Sequence, residues 1–151
     1  MSHSPNPRQG TVLAFDFGEK RIGVAIGEHL LGIAHPLTTI STEANDERFR
    51  LIGDLIAQWN PVQLVVGLPL SLEGEEHEVT RLCRKFANRL NGRFTLPVAL
   101  VDERLSSAEA SQSLRETGIT GRKQKPMLDQ VAAQHILQSY FDNLNNNHDS
   151  A

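Results

Sequence analysis

The chain has a single cysteine, Cys83, among 151 residues, which excludes an intramolecular disulfide and a cysteine-based zinc site. Thiol usage this sparse fits a reducing, cytoplasmic setting. Aromatic residues make up only 5% of the chain, too few for an extended base-stacking platform. No apolar run reaches the roughly 18–20 residues that span a bilayer, so no membrane partner is expected. The opening MSHSPNPRQG lacks the apolar stretch of a secretory signal. Excess positive charge is missing too: 15 Lys and Arg stand against 18 Asp and Glu, for a net charge of −3. That argues against a protein that coats nucleic acid nonspecifically. It leaves room for an enzyme that grips a few phosphates through a local basic patch.

What remains is an ordinary globular composition, 39% hydrophobic and 22% charged, in a length that suits one domain. Residues 1–10 are polar, contain Pro5 and Pro7, and read as a flexible leader. Residues 143–151 are Asn-rich without apolar periodicity and read as a disordered tail. One domain is expected over 11–142. Val12 to Phe17 is a nearly continuous apolar run, as in a strand buried on both faces. Gly18 to Lys20 turns the chain into a second strand, Arg21 to Gly27, and Leu30 to Ile40 supplies a third, bent near Pro36. Helical spacing predicts a helix over Asn45–Trp59, stopped by Pro61. A buried strand follows at Gln63–Gly67, then a helix over Glu75–Leu90 and a strand over Leu96–Val101. Ser106 or Ser107 caps a further helix. Thr117–Pro126 reads as a loop, and a final helix runs from about Met127 to Leu144. Three antiparallel strands followed by strand–helix alternation predict an α/β fold with a mixed sheet flanked by helices.

Three acidic positions stand out against this frame. Asp16 closes the first apolar strand on the face of Val12 and Ala14, where an unpaired carboxylate is costly. Its ordinary meaning is a turn aspartate beside Gly18. Asp102 and Glu103 follow the apolar LPVALV; adjacent strand residues point oppositely, so one of them at most shares a site with Asp16. Asp129 opens the last helix in KPMLDQVAAQHIL, where Leu128, Val131, Ala132 and Ile136 or Leu137 are expected to pack inward. An aspartate there also complements a helix dipole. Strand ends and a helix start converge at one edge of such a sheet. Carboxylates without thiolate neighbours select hard cations, Mg²⁺ or Mn²⁺.

AFDFGEKRIGVA, VVGLPLSLEG, FANRL, VDERLSS and KPMLDQVAAQHIL, in this order and spacing across residues 11–141, together resemble the YqgF/RuvX family. Its members are described as pre-16S rRNA nucleases, related to Holliday-junction resolvases within the RNase H-like superfamily. The resemblance implies a five-stranded mixed sheet whose first three strands are antiparallel. It implies Asp16 and Asp129 as ligands of a divalent metal pair. The related resolvases carry a glutamate at the end of the fourth strand, where this chain has Gly67. The resemblance therefore implies that Glu103, with Asp102 as alternative, supplies the third acid.

Lys20 and Arg21 flank the Asp16 hairpin and are candidate phosphate contacts, as are Arg104 and, in the 117–126 loop, Arg122, Lys123 and Lys125. Arg81, Arg84, Lys85, Arg89 and Arg93 form a run without an acid between residues 79 and 101. Such a run is ordinarily a solvated helix face, and otherwise a nucleic-acid contact. The expected activity is metal-dependent hydrolysis of phosphodiester bonds in RNA, at the 5′ end of pre-16S rRNA. Resolution of branched DNA and a noncatalytic ribosome-assembly or transcription role are the alternatives. An actin-like ATPase shares the strand–D-x-G–strand hairpin but needs a second lobe that is missing here. A monomer and a homodimer both remain open.

Overall fold

The computed structural model describes residues 10–69, 77–102 and 124–149, with 124–127 and 145–149 as backbone. Strands β1 (Thr11–Phe17), β2 (Ile22–Glu28) and β3 (Ile33–Ile40) precede helix α1 (Asn45–Trp59). Then come β4 (Gln63–Leu68), α2 (Glu78–Phe94), β5 (Val98–Asp102) and α3 (Gln124–Asp149). The five strands form one sheet in the order β3-β2-β1-β4-β5. β1–β2 and β2–β3 are antiparallel, while β1–β4 and β4–β5 are parallel. The mixed sheet expected from the sequence is the one observed.

Strand alternation divides the core into two layers. Leu13, Phe15, Ile22, Val24, Leu64 and Val66 face α1 and α2, packing with Phe49, Ile52, Phe86 and Leu90. Val12, Ala14, Ala25, Val65 and Val101 face α3, packing with Ala133, Ile136, Leu137 and Phe141. The α3 stripe is thus rotated from the expected one, because Ala133 rather than Ala132 is fully buried. Leu128 and Val131 are only half-buried. The rotation follows from what α3 rests on. A Cβ added at Gly27 would lie 2.7 Å from the Phe141 ring, so the helix seats its aromatic where β2 has no side chain.

Several boundaries differ from the sequence reading. β3 starts at Ile33, because Gly32, in the left-handed region, closes a turn back onto the Glu28 carbonyl. The strand also carries a bulge opposite Val24 and Ala25, at the expected bend near Pro36. α2 continues past Leu90 to Phe94 and ends on Thr95 in a left-handed conformation. α3 begins at Gln124, inside the expected loop; Pro126 sits in its first turn, where a missing N–H costs little. It also runs through Asp149, into the stretch expected to be a disordered tail. Once a helix is anchored by Phe141, each further residue adds a hydrogen bond without a new nucleation cost. The expected helix after Ser106 or Ser107 lies outside the described residues.

The edge strand β3 is closed by three glutamines spaced four apart on α3. Gln130 Nε2 donates to Thr39 Oγ1 at 3.0 Å, and Gln134 Nε2 to the Ala34 carbonyl at 3.1 Å. Gln138 Nε2 donates to the Gly32 carbonyl at 2.9 Å, and its Oε1 accepts from the Ala34 N–H at 3.1 Å. Side chains thereby occupy backbone groups that an edge strand otherwise offers to another chain. Gln138→Ala removes two of these bonds from partly buried partners. It is expected to cost about 1–2 kcal/mol, read as a lower urea midpoint at unchanged m-value.

Candidate active site

The C-terminal end of β1 brings together what the sequence separates most widely. Asp16 pairs across the sheet with Gly23 of β2. Such cross-strand partners have Cα atoms roughly 4.5–5.5 Å apart. Gly23 leaves a gap that α3 fills: a Cβ there would lie 2.0 Å from the Asp129 carbonyl oxygen and 2.9 Å from the Asp129 Cβ. Asp129 therefore rests on the residue opposite Asp16, on the sheet face that Val12 and Ala14 share with Asp16. Both aspartates are half-buried.

Arg21, just before β2, donates from Nε to Asp129 Oδ2 at 2.7 Å. The two side chains are 30% and 21% exposed. Solvent therefore screens the pair, and it contributes roughly 1 kcal/mol at most. Its larger effect is orientation, since one short charge-assisted bond fixes a carboxylate that lies in the second turn of α3, not at the helix start expected from the sequence. Lys20 stands exposed in the adjoining turn.

The parallel strands explain the third corner. Phe15 pairs with Val66, so one residue further along the register Gly67 lies beside Asp16, and Gly67 pairs with Val101. The side-chain-free position expected from the sequence is thus next to Asp16 itself. Val101 packs in the α3 layer, whereas Val98 packs against the α1–α2 layer. Asp102 has the parity of Val98 and belongs to the face opposite Asp16. Glu103, Arg104, Arg122 and Lys123 lie outside the described residues, and Lys125 is described only as backbone. Among the described residues no three His, Cys, Asp or Glu side chains form a cluster suited to a metal.

Two positions escaped the sequence reading. Gly23 is one, and its signal is the alternation Gly23-Ala25-Gly27, a strand face kept small for a helix. Arg48 is the other: it occupies the inward stripe of α1 and is only 3% exposed. It donates to the carbonyls of Thr42 and, at 2.6 Å, of Glu19, and it lies 5.5 Å from the Phe17 ring centroid. It therefore ties the β1–β2 turn to α1. Burial lowers its pKa and Glu43 pulls the other way, so the guanidinium keeps its charge at neutral pH.

The fold is of the RNase H-like class. Thermus thermophilus RuvC, in a structure with its Holliday-junction substrate, superposes with a TM-score of 0.54 at 17% identity, over 91% of this chain and 96% of that one. A second RuvC structure from the same organism gives 0.50 at 14% identity. The family described as "RuvX: Holliday junction resolvase" matches residues 10–143, and the chain belongs to that family. A relative from Methylobacillus flagellatus, named "Putative pre-16S rRNA nuclease", is 74% identical over 136 residues, covering 90% of this chain and 93% of its own length. A relative of the same name from Nitrosomonas europaea is 64% identical over 94% of this chain and 96% of its own.

Proposed function

We propose that this protein is a metal-dependent endonuclease that hydrolyses phosphodiester bonds of RNA, at the 5′ end of pre-16S ribosomal RNA. The observation that carries the reading is the stacking of Asp129 on Gly23, opposite Asp16. Two half-buried aspartates, distant in sequence, are thus both neighbours of Gly23 at the C-terminal end of β1. The names borne by close relatives support the substrate.

The donors fit a hard divalent cation. They are oxygens, no thiol lies at this edge, and Asp129 has a second carboxylate oxygen besides the one that accepts from Arg21. Asp16, Asp129 and Glu103 would hold two Mg²⁺ or Mn²⁺ ions. The parity of β5 assigns Asp102 to the face opposite Asp16, which favours Glu103 over Asp102 as the third acid. The ions supply a water of lowered pKa and charge stabilisation at the phosphate. Arg21 holds Asp129 in place. Lys20, Arg104, Arg122, Lys123 and Lys125 are the proposed contacts to neighbouring phosphates. No described helix is long and apolar enough to cross a membrane, and a cytoplasmic site of action fits the ribosomal substrate.

Branched DNA is the second reading, favoured by the likeness to RuvC seen with a junction. The two are separated by supplying a ribosomal precursor transcript and a four-way junction to the purified protein with Mn²⁺, then with EDTA. Cleavage of the transcript alone, abolished by EDTA, is expected. Cleavage of the junction alone overturns the RNA assignment. RNA binding indifferent to EDTA, with neither substrate cut, points to a noncatalytic assembly role.

A further inference from the structure

The opposite face of the same sheet end carries a second concentration of chemistry. Phe17, the residue after Asp16, alternates to the α1–α2 side and forms one wall of a cleft of about 170 Å³. That is several times the roughly 30 Å³ share of one liquid water. The cleft is lined by Phe49 and Phe86 and by the cations Arg48, Lys85 and Arg89, with no carboxylate among the described residues of its wall. A more open depression along α2 shares Leu82 and Lys85 with the first and adds Arg81 and Arg84, with Glu78 as its one carboxylate among the described residues.

The cations on α2 are ordered. Arg81, Lys85, Arg89 and Arg93 recur every four residues, so they form one row with a rise of about 6 Å between neighbours. Like charges at this spacing destabilise a helix. The described residues do little to relieve it: Arg81 meets Glu78 at 3.4 Å, and Arg93 stacks 4.3 Å from the Phe49 ring centroid. Lys85 and Arg89 have no carboxylate partner among the described residues, and both are exposed. In a chain of net charge −3, a row that costs helix stability and sits beside a basic cleft implies a polyanion that repays it.

We propose that the α1–α2 cleft and the α2 row form a phosphate-backbone track that carries the RNA strand beyond the Asp16 edge. The strand would pass over the β1–β2 turn, which Arg48 holds, and place successive phosphates on Lys85 and Arg89. That this strand is the substrate rests on the nuclease reading; the affinity of the track does not.

The test is fluorescence anisotropy with a 20-nucleotide oligouridylate in EDTA, where nothing is cut. Lys85→Ala/Arg89→Ala lowers net charge by two, and so does the control Arg50→Glu at an exposed position of α1. The double variant is expected to bind on the order of tenfold more weakly, with a salt slope reduced by about 1.4, or 0.7 for each lost phosphate contact. The control should bind within about twofold of the unmodified protein. Equal binding by all three proteins, equal losses in both variants, or no binding by the unmodified protein overturns the track. Cleavage of the precursor, measured separately with Asp16→Asn, decides the nuclease reading on its own. Loss of the α2 effect with cleavage intact removes the track alone, and loss of cleavage with the α2 effect intact removes the nuclease reading alone.

Discussion

Asp16→Asn is expected to lower the rate of RNA cleavage in Mn²⁺ by about 10³-fold, close to 4 kcal/mol of transition-state stabilisation. The substitution keeps size and shape at a half-buried strand end and removes the negative charge. An amide oxygen is a weaker ligand to a hard cation, and it no longer offsets the ion's charge. The change is small, because asparagine has the shape of aspartate and the cross-strand partner, Gly23, contributes no side chain of its own. Folding stability should therefore shift by no more than about 1 kcal/mol. The paired measurement is single-turnover cleavage beside a thermal melt. A variant that melts normally and still cuts at the original rate removes Asp16 from the chemistry.

Gly23→Ala is expected to strike stability and activity together. Its new methyl group would stand 2.0 Å from the Asp129 carbonyl oxygen and 2.3 Å from the carbonyl carbon. Both are helix backbone, so no rotamer change can clear the overlap and α3 has to move. The helix is held by its buried Ala133, Ile136, Leu137 and Phe141 and by its glutamines, which bond to β3 and Gly32. A shift that frees Gly23 thus loosens packing along its length. Overpacking of this kind costs about 3 kcal/mol, and about 10 °C in melting temperature at this chain length. In the molecules that remain folded, Asp129 is displaced relative to Asp16. A misplacement of about 1 Å can cost on the order of 10²-fold in rate. An alanine variant with an unchanged melt and full activity would show that α3 does not rest on Gly23.

The strands were legible in the sequence because their burial leaves a plain mark. Val12 to Phe15 and Leu64 to Val66 are covered on both faces, and no polar residue interrupts them. That Asp16 and Asp129 belong to one end of the sheet was legible from strand ends and a helix start converging there, and from the family resemblance, but the contact that achieves it was not. Nothing local in residues 11–28 announces that a helix more than a hundred residues later lies on Gly23. The small face Gly23-Ala25-Gly27 was open to reading, yet glycine in a strand signals close approach without naming what approaches. Arg48 was hidden by its type. An arginine in an apolar stripe reads as a break in the pattern, while here the Glu19 and Thr42 carbonyls and the Phe17 ring make the burial tolerable. The α2 cations read as a solvated face because their four-residue order gains meaning only beside the α1–α2 cleft. Asp102 is set by strand parity, which needs the register of β5 against β4.

The contact of α3 with Gly23 also has a meaning in time. Asp16 leaves the ribosome more than a hundred residues ahead of Asp129. Until that late segment emerges, the hairpin can form and hold Asp16 at its edge, but the second carboxylate does not yet exist beside it. A chain released early therefore has half of the acidic pair and an uncovered β3 edge. For a protein proposed to cut ribosomal RNA, the acidic pair is therefore complete only once the last helix has been made.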